Sequence, residues 1–321
     1  MKYLIVAVAA AGLLQAPTGA NAQQDYPNRP IHTIVGFPAG GGADIIARYF
    51  ASQLEKVSNK TFIVENKPGN NSNVAVSMVV NAKPDGYSIL FGSSSTLVGG
   101  RYFVKDLTFD VVKDLVPVHS FVEGAFVLVV GVNSPAKDLP SLVAYLKSRP
   151  QNRFAYSNQL GLLGGQYFKS KADINAVSVS YRSGADAVPD LVSGTLEYMV
   201  LDATFAVGQI KAGKLRPIAA TTRTKYPALA DVPLMKEFPG YEDADFTTWW
   251  AMYVPKGKPD PIIAKLDGWM SQVTKSPDTA AYLDTLANIP LDDSGPATLT
   301  RIKSEIARWE PLVKAAGIEP Q

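Results

Sequence analysis

Cysteine is absent and histidine occurs only twice in the 321 residues. No disulfide can staple this chain, and no thiolate is available as nucleophile or metal ligand. His32 sits in mid-strand alternation with Ile31 and Ile34, and His119 stands alone after Val116-Pro117-Val118. Neither belongs to a cluster at metal-ligand spacing, so neither a metal nor a cofactor is expected. Charge is sparse as well, at 19% Asp, Glu, Lys and Arg with a formal net charge of +2. Without a basic run the chain lacks what a phosphate backbone requires, which excludes nucleic acid as a partner. The Gly-x-Ser-x-Gly elbow of a hydrolase is missing too, so Ser93, Ser94 and Ser95 lack the surroundings of a nucleophile. Past residue 22 no apolar run is long enough to span a bilayer.

What is present begins with an address. Met1-Lys2-Tyr3, an apolar run from Leu4 to Leu14 and the closing Ala20-Asn21-Ala22 describe a secretory signal cleaved after Ala22. The protein is therefore expected in the periplasm. The remaining chain, about 300 residues, suits two domains of ordinary size or one large one and can bury a core without staples.

The stretch Ile34-Val35-Gly36-Phe37-Pro38-Ala39-Gly40-Gly41-Gly42-Ala43-Asp44 organises the rest. It reads as a strand, a tight turn, and a helix with apolar residues at Ile45, Ile46, Tyr49, Phe50, Leu54 and Val57. Glycines at the helix mouth leave unpaired N–H groups uncovered, a socket for phosphate or carboxylate. The turn lacks the Lys-Ser/Thr of a nucleotide-binding loop and the G-x-G-x-x-G spacing, and a purely structural turn is the competing reading. Asp44, in the first turn, either favours the helix dipole or touches ligand.

Strand, small polar loop and helix then recur. Thr61 to Glu65 leads to Asn66 through Asn73, and Tyr87 to Gly92 delivers Ser93-Ser94-Ser95-Thr96. After the apolar strand Phe126 to Val132, the same pattern restarts: Phe154-Ala155-Tyr156 leads to Ser157-Asn158, Val177-Ser178-Val179 to Tyr181-Arg182-Ser183-Gly184, and Met199-Val200 to Asp202. This is the signature of an open, largely parallel α/β sheet with ligand beyond the carboxyl ends of its strands. Two such sets suggest two lobes facing across a cleft. If the second is an insertion, the chain crosses between lobes near residues 124–130 and 246–252. The Trp249 strand, a helix from Pro261 and a closing helix from Pro296 to Ala316 would return to the first lobe. Trp249 and Trp250 read as core, and Lys225 to Tyr241 as loop.

These residues also carry a resemblance. Phe37-Pro38-Ala39-Gly40-Gly41 with Asp44 and Ala47-Arg48 resembles the F-P-P-G-G-x-x-D-x-x-A-R opening of the substrate-binding proteins of tripartite tricarboxylate transporters, the Bug family. Val64 to Gly69, Lys83 to Tyr87, Leu107 to Asp110, Val179 to Ala185, Ile210 to Arg216 and Trp249 to Pro255 resemble its later signatures, in order. The resemblance implies a type II periplasmic binding-protein fold, with a first lobe over 23–127, a second over 128–247 and a return over 248–321. It implies a small mono- or dicarboxylate, aromatic ones included, and membrane transporter subunits as partners, with the receptor a monomer. A membrane sensor is the alternative client, and a serine-dependent hydrolase the alternative chemistry.

Carried over residue by residue, the resemblance places Phe37, Pro38, Ala39, Gly40 and Gly41 on one carboxylate, with Ser93, Ser94 and Thr96 donating hydroxyls beside them. Ser157, Asn158, Tyr181, Arg182, Gly184 and Asp202 come from the other lobe. From its position alone, Asp202 can equally meet a ligand donor or cap the next helix. Arg182 can grip a carboxylate or lie in solvent, and Arg101 is read as surface. The chain departs from the family at Pro38-Ala39, where a Pro pair is usual, and at Gly69-Asn70-Asn71-Ser72, where G-A-G-G is usual. Gly100-Arg101 replaces Asn-Pro, and Asn158 to Leu162 replaces a Gly/Ser-rich turn with its His.

Overall fold

Short β-branched and aromatic runs, separated by helices, build a ten-stranded sheet among residues 26–257 and 259–315, which the computed structural model describes. The signal segment read over 1–22 lies outside the described residues. The chain opens with β1 (Ile31–Val35), α1 (Gly42–Ser58), β2 (Phe62–Asn66), α2 (Asn73–Val80) and β3 (Ser88–Ser93). β1 pairs in parallel with β2 on one side and β3 on the other. Two short turns of helix follow, α3 (Ser94–Leu97) and α4 (Gly100–Phe103).

The element that joins the molecule is β4 (Leu115–Gly131), 17 residues long. Beyond it come α5 (Leu139–Lys147), β5 (Asn152–Tyr156), α6 (Gln159–Ala172), β6 (Ala176–Ser180) and α7 (Gly184–Ser193). Next are β7 (Tyr198–Asp202), α8 (Ala203–Lys211) and β8 (Leu215–Ala220). The chain returns through β9 (Thr247–Pro255), α9 (Asp260–Thr274), α10 (Pro277–Asp284), β10 (Asn288–Ser294) and α11 (Gly295–Ala315).

Strand β4 changes partners midway. From Leu115 to Ala125 it pairs antiparallel with β9, and around His119 to Gly124 with β10; from Phe126 onward it pairs with β7 and β8. Two α/β lobes therefore share one strand, with the sheet order β2-β1-β3-β9-β4-β7-β5-β6. The second crossing lies beside the first. Thr221 donates its N–H to the Phe126 carbonyl at 3.0 Å and accepts the Phe246 N–H at 2.8 Å. Its hydroxyl reaches the Phe126 and Phe246 carbonyls at 3.0 and 2.9 Å.

Burial follows the same plan. One apolar layer runs through both lobes and contains Val76, Phe109 and Trp309 together with Phe154, Phe168 and Tyr198. The other sheet face has a separate layer in each lobe, around Phe50, Phe121 and Met252 in the first and Leu191, Met199 and Ala206 in the second. In α11, Ile302, Trp309 and Val313 are buried, as the helical spacing expects.

Three strand segments escape the sequence reading: the first half of β4, β8 and β10. Leu115 to Ala125 is interrupted by Pro117, His119, Glu123 and Gly124, which hides its apolar character. It is a strand because it is paired on both sides, and register shifts accommodate Pro117 and Ser120. β10 carries Pro290, Asp292 and Asp293, a composition tolerated at a sheet margin. His119 is not isolated. Its ring is 2% exposed, with Nδ1 at 2.8 Å from Asp267 and Nε2 at 3.1 Å from Asp292. The 225–241 segment is loop apart from single turns at Pro227–Leu229 and Met235–Glu237.

Candidate functional site

The turn between β1 and α1 is held from behind by side chains that the sequence alone does not connect. Asn66, at the end of β2, donates from Nδ2 to the Phe37 carbonyl and to Asp44 Oδ1, both at 3.0 Å. The Gly40 N–H donates to Asp44 Oδ2 at 3.0 Å, and Arg48 Nε donates to the same oxygen at 2.9 Å. Burial acts to raise the Asp44 pKa, and these hydrogen bonds, with Arg48 foremost, overcome it and hold the carboxylate ionised. Asp44 is thus a brace for the loop. Ser72 Oγ donates to the Gly36 carbonyl at 2.9 Å, and a Cβ on Gly36 would lie 2.3 Å from the Ser72 Cβ, so only glycine allows that approach.

In front of the braced turn, helix α1 begins with no side-chain cap, because its N-cap is Gly41. Its first N–H groups and its dipole open into the space between the lobes. Across that space three further helices point their N-termini inward. Asn158 caps α6 by accepting the Gly161 N–H at 2.8 Å, Ser183 caps α7 through the Asp186 N–H at 3.3 Å, and Asp202 caps α8 through the Phe205 N–H at 3.1 Å. Convergent helix N-termini favour an anion between them. The cleft has a volume of about 60 Å³.

Of the residues expected at the site, Phe37, Pro38, Gly41, Ser93, Ser157, Asn158, Arg182, Gly184 and Asp202 line this cleft. Five others do not. Ala39 and Gly40 are exposed on the crest of the turn. Ser94 is fully buried, accepting the Trp249 N–H at 3.2 Å with Thr248 Oγ1 3.4 Å away. Thr96 lies one helical turn beyond Ser93, its N–H donated to the Ser93 hydroxyl at 3.4 Å. Tyr181 donates its hydroxyl to Asp190 and lines a neighbouring chamber. Arg182 is at the rim: its side chain is 78% exposed and 3.6 Å from Asp186. As a gripping cation it is too solvated to dominate.

The cleft also uses residues that the sequence reading missed, namely Gly42, Ala43, Ser95, Ala125, Phe126, Ser183, Thr204, Thr248 and Trp250. Thr248 and Trp250 are two apart on β9, and strand alternation was the available signal. Trp250 is not plain core. It meets Phe37 edge to face, ring centroids 5.6 Å apart, forming an apolar wall. Ser95 spans the lobes, donating to Gln159 Oε1 at 3.4 Å while accepting the Leu160 N–H at 3.3 Å. Thr204 and Asn288 form a second bridge at 2.9 Å.

Asp202 is the one ionisable group inside the cleft whose proton affinity is strongly displaced. Burial pushes its pKa up to about 6 against the opposing hydrogen bond from the Phe205 N–H. Its Oδ1 also lies where a side chain on Gly42 would begin, 2.0 Å from an ideal Cβ. The carboxylate of one lobe therefore rests against the open helix mouth of the other. Among the described residues there is no cluster of His, Cys, Asp or Glu that could hold a metal.

Comparison with known proteins agrees with this geometry. Residues 46–318 match the tripartite tricarboxylate transporter family receptor, TctC. BugT of Bordetella pertussis is 28% identical over 314 residues, 97% of this chain and 95% of that protein. The structure of R. palustris Rpa4515 with adipate has a TM-score of 0.89 at 26% identity, over 92% of this chain and 100% of that one. The periplasmic binding protein BugD gives a TM-score of 0.86 at 27% identity, over 92% and 100% of the two chains. The chain belongs to the TctC family of tripartite tricarboxylate transporter receptors, and its two α/β lobes are the fold of that family's periplasmic binding proteins.

Proposed function

We propose that this protein is an exported solute receptor that closes on a small organic carboxylate and delivers it to the membrane subunits of a tripartite transporter. The observation that carries the reading is the uncapped N-terminus of α1, opening into a cleft rimmed by the N-termini of α6, α7 and α8. Backbone N–H groups and the helix dipole supply the anion affinity. Ser93, Ser95, Ser157, Thr204 and Thr248 supply hydroxyls, and the Phe37–Trp250 wall covers the carbon chain. The adipate in Rpa4515 supports the ligand class. No helix among the described residues is long and apolar enough to cross a membrane, which accords with a receptor acting beside one.

The lobes we assign are 23–127 with 248–321, and 128–247. The change of partners along β4 between Ala125 and Phe126, and the start of β9 at Thr247, support that division. Hinge bending at these crossings would open and close the cleft. The test is thermal denaturation against a panel of organic acids. A ligand at a hundred times its Kd stabilises the folded state by about 2.7 kcal/mol, seen as a clear rise in Tm. A panel of mono- and dicarboxylates that leaves Tm unmoved and gives no calorimetric heat would refute the proposal.

A further inference from the structure

Next to the inner cleft, and sharing Phe37, Pro38, Ser157, Asn158 and Arg182 with it, lies a chamber of about 250 Å³. Its walls differ in chemistry. Asn70, Asn71, Asn158 and Gln159 line it, and no Asp, Glu or Lys does. Its one cation, Arg182, is solvated and lies beside Asp186. Gln159 is 4% exposed, and its Nε2 has no hydrogen-bond partner. Oε1 accepts from Ser95 Oγ across the lobes, and Nε2 is closed off from the chamber, so Gln159 contributes wall rather than a donor. Asn158 commits Oδ1 to capping α6, which leaves its amide hydrogens for a partner.

The fourth wall is a strained loop. Asn70, Asn71 and Ser72 all have positive φ, at 43°, 50° and 71°. A run of three non-glycine residues in the left-handed region is costly, and Asn is the side chain that tolerates it best. The Ser72 bond to the Gly36 carbonyl pins the end of the run. Glycine would satisfy this backbone at lower cost, and the two asparagines there line the chamber.

From these features we infer that the chamber is a second subsite, which receives the far end of the ligand and selects an uncharged tail that both accepts and donates hydrogen bonds. A hydroxyl or carboxamide fits that description. Carboxamides both donate and accept, so they pair reciprocally with such groups, and no cation other than the exposed Arg182 lines the chamber to favour a second carboxylate. The preferred ligand is then an acid with a hydroxylated or amide-bearing tail. This inference rests on the proposed carboxylate receptor.

The test is calorimetric titration with matched acids of equal length: butanoate, 4-hydroxybutanoate, succinamate and succinate, with the propanoate and pentanoate series beside them. The expected result is a ten- to hundredfold preference for the hydroxyl or amide tail over both the methyl and the carboxylate tail. In Asn70→Gly/Asn71→Gly, glycine accepts the loop geometry, so Tm stays level or rises while the preference shrinks at least fivefold. Tightest binding by the dicarboxylate or the methyl acid overturns the inference, as does a uniform loss across all tails in the variant. If no acid of any kind binds, it is the carboxylate reading that falls.

Discussion

Asp202 gives the first residue-scale prediction, a pH-dependent affinity. Its folded pKa of about 6 lies above the ordinary 3.8 because burial disfavours the charge. The stability that the neutral form contributes is therefore complete below about pH 4 and is lost as the pH rises through about 6. A carboxylate ligand beside it raises that pKa further, so binding above pH 6 takes up a proton. Affinity should rise as the pH falls from 8 to 6, then decline once the ligand itself protonates, near 4–5. Asp202→Asn should flatten the profile, and titration in buffers of different ionisation enthalpy should show the uptake vanish. Gly42 gives the second residue-scale prediction. In Gly42→Ala the new methyl would meet Asp202 Oδ1 at 2.0 Å and Thr204 Cβ at 3.1 Å, both across the cleft. The helix itself tolerates Ala well. Ligand affinity should fall more than tenfold while the ligand-free Tm is unchanged or slightly higher; equal losses in both would show that Gly42 is needed for folding rather than closure.

Among the elements, α1 stands apart because its neighbours around the cleft are capped by their own side chains and it is not. Gly41 has an ordinary extended backbone, φ −85° and ψ 174°, and a Cβ there would meet only the Pro38 carbonyl, at 3.7 Å. Asp is thus free to enter. Gly41→Asp should cap α1, with a gain no larger than a few tenths of a kcal/mol to about 1 kcal/mol. The same carboxylate would occupy the anion socket, so binding of every organic acid should be lost. If Gly41→Asp binds acids as the parent does, the N-terminus of α1 is not the socket. Part of this scale was legible in the sequence: Phe37, Pro38, Gly41, Ser93, Ser157 and Asp202 stand at the ends of apolar runs, where strand-to-helix turns must be small or polar. Ser94 and Thr96 were not separable from Ser93 and Ser95, because a single turn of helix sends neighbouring hydroxyls in opposite directions. Trp250 and Thr248 were hidden by the register of β9, which decides which face of that strand looks into the cleft.

At the scale of the whole molecule, the two lobes are tied where the crossings touch. The Thr221 hydroxyl meets the carbonyls of Phe126 on one crossing and Phe246 on the other, and the residue is 1% exposed. Thr221→Val keeps the shape and removes the donor, leaving buried carbonyls less satisfied, at a cost of about 1–3 kcal/mol. Denaturant unfolding should show that loss. Small-angle scattering of the ligand-free variant should show a larger radius of gyration than the parent, since the crossings would no longer move as one. A variant as compact and as stable as the parent would mean that β4 alone sets the hinge.

The amino-acid order by itself determined the class of fold: runs of period two and of 3.6, broken by small polar turns, can bury their apolar faces only as layered α/β lobes. It also showed that no histidine cluster stands near those turns, which left backbone N–H groups and hydroxyls as the expected anion donors. Only the tertiary structure decided that β4 serves both lobes, because a strand broken by Pro117, His119 and Gly124 is stabilised by the partners on either side of it. The same holds for the pairing of Asp202 with Gly42 and of Asn66 with Asp44. Those contacts join residues far apart in sequence, and only the packing of one lobe against the other, or the docking of β2 beside β1, brings them within reach.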